Sequence, residues 1–329
     1  MPLTFVEVCA GAGGLSCGLL QAGLTPLLLN DNDKNCCATL VKNHPDANVV
    51  CASMLDLDLT PFHKKVDLLT GGVPCQAFSQ AGNRKGFDDP RGNLILTFTE
   101  QVRQVAPKLF LIENVKGLVS HDGGRSLERV LELLRLDGQY EVEWRILNAA
   151  EYGVPQKRER VFIVGVRCEY RLPFVFPVKD EAVTVLGDVL TDVPASAGAA
   201  YPEKKLVLFR EIPQGGCWIN LPVEAQKAYL GASYYSGGGK RGILHRESLA
   251  KPALTVLCSP SQKQTERCHP LEDRPFTVRE NARIQTFPDD YEFTGSMSSQ
   301  YKQIGNAVPV ELARRLGVAV KEWLEKVTV

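Results

Sequence analysis

The chain has no excess of charge of either sign. Its 38 lysines and arginines balance 38 acidic residues over 329 positions, so the bulk sequence exerts no general pull on a polyanion and any nucleic-acid surface must be local. Ten cysteines are present but no two stand in C-x-x-C spacing, which removes the common zinc pattern, and no metal is expected. They lie in apolar stretches (Cys9, Cys17, Cys51) or side by side (Cys36, Cys37), as reduced intracellular thiols do. No apolar run approaches the ~18 residues of a membrane span, and no charged segment followed by an apolar one opens the chain. A cytoplasmic location is expected. Internal repeats and low-complexity tracts are absent, and 44% hydrophobic residues suffice for the core of one or two domains.

What is present begins with an alternation of strand and helix patterns. Apolar runs at residues 3–9, 26–29, 66–70 and 109–112 are interleaved with helical periodicity at 15–22, 34–43 and 94–105, the signature of βαβ units in a doubly wound α/β sheet. Glycine, Asn and acidic residues stand just past the strand ends (Gly11, Asp31, Gly71, Glu113, Asn114), and in such sheets that edge binds ligands. After a further apolar run at 160–166 the texture changes: residues 170–270 are rich in Pro, Gly and Ser. A second, smaller, irregular and β-rich domain is expected there. Helical pattern resumes at 278–284 and 310–327, the latter entered through Pro309.

Four segments carry chemistry. Phe5 to Gly18 reads as strand, glycine turn (Gly11, Ala12, Gly13, Gly14) and helix start, which brings backbone N–H groups close to a bound nucleotide. The turn falls short of the dinucleotide fingerprint G-x-G-x-x-G, which argues against a nicotinamide-dependent dehydrogenase. Asp31 follows the next strand, suited either to ribose hydroxyls or to a helix N-cap. Gly71 to Gln76 places the thiol of Cys75 beside Pro74 at the ligand edge, and Glu113 emerges at the same edge. In Gln156-Lys-Arg158-Glu-Arg160 the alternation points Gln156, Arg158 and Arg160 to one side.

The glycine turn, P-C-Q, E-N-V, Q-x-R-x-R, R-P-x-T-x-R-E-x-A-R-x-Q-x-F-P from Arg274 to Pro288, and G-N-A-V-P from Gly305 to Pro309 occur in the order and approximate spacing of the DNA cytosine-5 methyltransferases. The chain resembles their compact bacterial restriction-modification type. The resemblance implies a Rossmann-like S-adenosylmethionine-dependent fold, with residues 1–168 and 305–329 as catalytic domain and 169–304 as target-recognition domain. It makes Cys75 the nucleophile toward C6 of a flipped-out cytosine, Glu113 the group at N3 and Arg160 the group at O2, with Arg158 beside them. A cleft between two domains would suit the extruded base. Cofactor contacts are expected from Gly11, Ala12, Gly13, Gly14, Asp31, Asn32, Ser53, Met54, Pro74, Asn306 and Ala307. Duplex DNA is expected to meet Gln76, Ser79, Arg84, Asn114, Lys240, Arg241, Arg246 and Thr255.

Several positions depart from the family pattern. Cys9 replaces the strand-end phenylalanine, Asn32 the aromatic residue after the ribose-binding acid, Ser53 the acid near the next strand end, and Val73 the first proline of P-P-C-Q. A tRNA-directed relative would share the catalytic motifs, but the C-F-T tripeptide of that branch is absent. A catalytically silent DNA-binding protein on the same fold is countered by the joint presence of Cys75, Glu113 and Arg160. A monomer, nucleoid-associated through DNA and paired functionally with an endonuclease, completes the expectation.

Overall fold

The computed structural model describes residues 2–73, 93–236, 242–260, 262 and 266–327. The chain divides into two compact units, residues 1–152, 159–180 and 307–329 forming the first and residues 153–158 and 181–306 the second.

Unit 1 opens with β1 (Thr4–Val8), α1 (Gly14–Gln21), β2 (Thr25–Asp31), α2 (Lys34–Asn43), β3 (Val49–Cys51) and β4 (Leu68–Gly71). It continues through α3 (Asn93–Val105), β5 (Leu109–Val115), α4 (Gly117–Ser120), α5 (Arg125–Leu134), β6 (Tyr140–Asn148) and β7 (Glu159–Arg167). The described strands form one sheet in the order β3-β2-β1-β4-β5-β7-β6. The pairs from β3 across to β5 are parallel, whereas β7 runs antiparallel to both β5 and β6. The sheet is therefore mixed rather than wholly parallel. A helical crossover returns each early strand in the same direction, but only residues 149–158 separate β6 from β7, too few for a crossover. Strand order reverses at β1, which lies between β2 and β4 and so marks the ligand-binding edge.

The central strands are apolar on both faces because both are covered. Val6, Val8, Leu69, Phe110, Ile112 and Ile163 pack with Phe98 and Val102 of α3 and Val130 and Leu134 of α5 on one side. Against α1 lies the last helix of unit 1, Val310–Val327. The two approach closely because Gly18 on one and Gly317 on the other present no side chain to the contact. A Cβ on Gly18 would stand 2.4 Å from the Ala313 Cβ and 2.6 Å from the Val310 carbonyl.

Unit 2 contains α6 (Glu203–Arg210), α7 (Val223–Leu230), β8 (His245–Arg246), β9 (Arg267–Cys268), α8 (Val278–Ile284) and α9 (Met297–Asn306); the helix of unit 1 that follows is α10. The expected β-rich character is not found: among the described residues its only strands are the two-residue pair β8 and β9, and helices carry more of it. Runs of Thr, Val and Leu there suggest strands, but extended segments become a sheet only where a partner supplies the ladder. The eight-residue helices α6 and α7 are too short for a clear 3.6-residue period.

Because the Ala313 Cβ and the backbone of Val310 and Arg314 crowd the Gly18 Cβ position, Gly18→Ala is expected to destabilise unit 1 by ~1–3 kcal/mol. Urea denaturation is the measurement, and an unchanged midpoint would show that α1 and α10 can separate without cost.

Candidate active site

The glycine turn begins where β1 ends. Cys9 sits at φ 51°, a left-handed conformation uncommon for a residue with a side chain, and Gly11 and Gly13 follow at φ 57° and 83°. Among the described residues, nothing lies within 4 Å of where a Gly11 Cβ would stand. Its shape is held by Asp31, whose carboxylate accepts the Gly11 N–H at 2.8 Å on one oxygen and the Asp33 N–H at 2.8 Å on the other. Each oxygen keeps a second lone pair for a ligand hydroxyl. The N-cap alternative for Asp31 is corrected: Asp33 caps α2, accepting from the N–H groups of Asn35 and Cys36. Ala12 and Gly14 are buried, and Ala307 and Val308 rest on the helix start, since a Cβ on Gly14 would stand 2.3 Å from the Val308 carbonyl.

Cys9 packs its sulfur 3.4 Å from that of buried Met54, so the apolar contact expected from a phenylalanine is replaced by two sulfurs. Burial and the nearby Asp31 and Glu7 carboxyls push the Cys9 thiol up to about 12, so it stays protonated and is no nucleophile. The Ser53 hydroxyl accepts the Leu55 N–H at 3.2 Å, and Asn32 is exposed.

Glu7 was not legible as a special position. It is 1% exposed on β1 and accepts from the Ser16 hydroxyl at 2.5 Å and from the Ser16 backbone. Burial, partly offset by Ser16 and reinforced by Asp31, raises its carboxyl from 4.5 to about 8. A strand reading E-V-C-A-G gives no signal for this, because the effect comes from α1 folding over β1.

At the other end of the site, Glu113 and Arg160 form an ion pair, Nε to Oε1 at 3.0 Å, with side chains 12% and 18% exposed. Antiparallel register sets Arg160 opposite Val115, at the same sheet edge as the end of β5. A Cβ on Gly72 would stand 3.7 Å from Glu113 Oε2, so the carboxylate borders the chain leaving β4 three residues before Cys75. Asn114 holds that exit too. It is buried, its amide donates to the Val73 carbonyl at 3.0 Å, and its side-chain oxygen accepts the Val115 N–H at 2.8 Å. In this structure it fixes backbone on both sides of the exit. Pro74, Cys75, Gln76, Ser79, Arg84, Lys240 and Arg241 lie outside the described residues.

Gln156 and Arg158 do not join Arg160. They belong to unit 2, 0% and 1% exposed, and both reach Val256: the Gln156 side-chain oxygen accepts its N–H at 2.8 Å and Arg158 donates to its carbonyl at 3.2 Å. Alternation along an extended segment predicts a shared side only while the segment stays in one body, and here the chain passes from unit 2 to unit 1 after Arg158. Arg158 therefore positions backbone rather than a base. The Thr255 hydroxyl donates to the Lys157 carbonyl at 2.8 Å.

Arg246 also departs from expectation. It is 6% exposed and donates to the carbonyls of Phe209, Ile212, His269 and Glu272 while pairing with Asp273. All its hydrogen-bonding capacity is turned inward, which removes it from the DNA-binding set. Gly305 and Asn306 end α9 rather than begin the next helix, and Pro309 precedes α10.

A sheet whose order reverses at β1, a glycine turn fixed by an acid, and a Glu–Arg ion pair at the same strand ends place the protein in the nucleotide-binding α/β class. The family model of C-5 cytosine-specific DNA methylases matches residues 3–322. Over 98% of this chain and 79% of its own length, the Type II methyltransferase M.PspPI of a Psychrobacter species is 48% identical. M.Eco47II of Escherichia coli is 47% identical over 98% and 80%. Among solved structures, a prophage-encoded Escherichia coli protein shares the fold at TM-score 0.74 and 23% identity, over 98% of this chain and 99% of that one. The Entamoeba histolytica methyltransferase EhMeth does so at 0.71 and 16%, over 98% and 99%. The chain belongs to the C-5 cytosine-specific DNA methylase family and is a DNA (cytosine-5) methyltransferase.

Two substitutions check this geometry. Folded Glu7 holds its proton to about pH 8 where the unfolded chain releases it near 4.5, so its contribution is complete below the lower value and is lost as pH rises through the upper one. Relative to Glu7→Gln, wild-type stability is expected to fall by roughly 1.4 kcal/mol per pH unit inside that window and to level off above it. Parallel pH profiles of the two proteins in urea would contradict the assignment. Arg246→Ala is expected to cost ~3–5 kcal/mol through the lost buried guanidinium and the carbonyls of Phe209, Ile212 and His269 left without its donors, seen as a lowered Tm. Unaltered stability combined with weaker DNA binding would restore it to the interface.

Proposed function

We propose that this enzyme methylates a cytosine in a short duplex DNA sequence through a covalent Cys75 adduct, as the modification half of a restriction-modification pair. The observation that carries the reading is the Glu113–Arg160 pair at the edge where β4 delivers the chain toward Cys75. Cytosine C5 is a poor nucleophile. Bonding of the Cys75 thiolate to C6 pushes an electron pair toward C5, and Glu113 meets the charge at N3 by donating a proton or hydrogen bond. Arg160 orients Glu113 and supplies a donor for the base oxygen O2. Transfer of the C5 proton to a solvent base, departure of the thiolate from C6 and return of any N3 proton to Glu113 restore the aromatic ring and free the cysteine. None of these atoms is reachable in a base stack, so the cytosine is extruded.

The turn at Gly11, with Asp31 holding it, fits S-adenosylmethionine. This group supplies an electrophilic sulfonium methyl. Gly11, Ala12, Gly13 and Gly14 give close backbone approach, Asp31 accepts ribose hydroxyls, and Met54, Pro74, Asn306 and Ala307 complete the contacts, with Asn32 and Ser53 beside the adenine. For DNA the reading retains Gln76, Ser79, Arg84, Lys240, Arg241 and Thr255. The restriction-modification context rests on the Type II names of the relatives, with the enzyme acting as a monomer.

Bisulfite sequencing of DNA exposed to the purified protein and S-adenosylmethionine is expected to reveal protected cytosines at one short sequence, and Cys75→Ser to abolish protection while duplex binding persists. Duplex carrying 5-fluorocytosine at that site should form a covalent adduct with the wild type, because fluorine cannot leave as a proton does. Turnover by Cys75→Ser, or no adduct with active enzyme, would overturn the covalent route.

A further inference from the structure

Three cysteines gather around Asp31 in unit 1, and nothing in the reaction above employs them. Cys36 and Cys37 stand in the first turn of α2, and Cys51 closes β3, where parallel pairing with β2 sets it opposite Asp31. The Cys37 thiol, 5% exposed, donates to the Asp31 carbonyl at 3.2 Å. Its sulfur is also in hydrogen-bonding contact with the Cys51 thiol, and Cys51 is exposed. Cys36 is buried, about 100° round the helix from Cys37. One sulfur is thus open to solvent and a buried one touches it, the layout of a thiol that oxidises first and a thiol that resolves it. Burial, with Cys51 beside it, holds the Cys37 thiol protonated, so oxidation begins at Cys51.

The same helical turn is tied to the Asp31 carboxylate. The Cys37 N–H donates to the Asp33 carbonyl at 2.9 Å, and the Asp33 N–H donates to Asp31 Oδ1 at 2.8 Å. The Asp31 carbonyl also accepts the Ala52 N–H at 3.1 Å, next to Cys51. A disulfide holds its sulfurs about 2.0 Å apart, closer than any hydrogen-bonded pair of thiols. Bond formation therefore takes the thiol donor from the Asp31 carbonyl. It also pulls the start of α2 toward the end of β3, against the hydrogen bonds that aim the Asp31 carboxylate.

We propose that Cys37 and Cys51 are a reversible oxidation site, closed to a disulfide by a peroxide, and that closure weakens cofactor binding by displacing Asp31. The second half rests on the reading above in which Asp31 accepts ribose hydroxyls; the first half does not. The Cys51 thiolate attacks one peroxide oxygen and the O–O bond breaks. Cys51 becomes a sulfenic acid, and the hydroxide that leaves takes up the proton Cys51 released. The Cys37 sulfur then attacks the Cys51 sulfur; the S–O bond breaks and the departing hydroxide takes the Cys37 proton as water. The two thiols lose two electrons to the peroxide, which is reduced to water.

Trypsin cuts after Lys34, Lys42 and Lys64, so the disulfide joins peptide 35–42 to peptide 43–64. Purified protein exposed to hydrogen peroxide, alkylated while unfolded and digested is expected to yield that joined species, short of two hydrogens against the sum of its parts. Cys36→Ser should retain it, and Cys37→Ser and Cys51→Ser should lack it. Calorimetric titration with S-adenosylhomocysteine, the demethylated cofactor, is expected to show at least ~10-fold weaker binding after peroxide, and recovery with dithiothreitol. Dithiothreitol does not reverse methionine oxidation, which separates this effect from damage at Met54. Cys51→Ser, at an exposed position, should bind like the reduced wild type before and after peroxide, and decides the question if Cys37→Ser does not fold. No joined species, a joined species that disappears in Cys36→Ser, or a disulfide that leaves the affinity unchanged overturns the proposal. Reduced wild type that fails to bind S-adenosylhomocysteine overturns the functional reading instead, and the peptide map still decides whether the disulfide forms.

Discussion

The antiparallel return of β7 is the constraint on which the site depends. In an all-parallel sheet the residues opening a strand lie at the edge opposite to the ligand site. Because β7 runs against β5, Arg160, its second residue, falls level with the closing residues of β5 and reaches Glu113 at 3.0 Å. The strand-order reversal at β1 sets the glycine turn at the same edge, and parallel pairing of β1 with β4 sets the exit toward Cys75 there. Two topological features thus gather residues far apart in the chain.

The groups below this edge keep it rigid. Asp31 pins the turn through backbone N–H groups on both carboxylate oxygens, and Asn114 pins the chain leaving β4. Both come from residue types that a sequence reader assigns to ligands, since Asp and Asn past strand ends serve either purpose. Glu7, buried, and Cys9, half-buried, stay protonated, so Asp31 is spared two further negative charges as neighbours.

Unit 2 relies on polar anchoring to an unusual degree. Its apolar cluster around Tyr201, Phe209, Ile212, Leu221 and Leu230 is modest. Glu266, fully buried, is satisfied by Lys205, by the Tyr229 hydroxyl and by the Leu244 N–H, while Arg274 pairs with both Glu272 and Glu280. Such pairs contribute little net stability compared with apolar packing, but losing one partner is costly, so they select a single arrangement of irregular chain. For a domain built of short elements, that specificity holds loops in register where an extended sheet is lacking.

The sequence by itself determined the alternation from β1 through α2 and from β4 through β5, the glycine turn and the family, because hydrophobic periods and motif spacings are local properties carried along the chain; β3, α5 and β6 were not legible in it. It also pointed to Glu113 and Arg160, which the structure brings into one ion pair. Tertiary structure alone decided which like-seeming polar residues face a ligand and which face the protein. Arg246 and Arg158 read as basic residues near functional motifs, yet their donors go to carbonyls contributed by segments up to 147 positions away. It also decided that the Q-x-R-x-R alternation splits between two units, and that short runs of Thr and Val stay unpaired. Partners of that kind are fixed by long-range packing, where burial without a hydrogen bond costs more than any local preference returns.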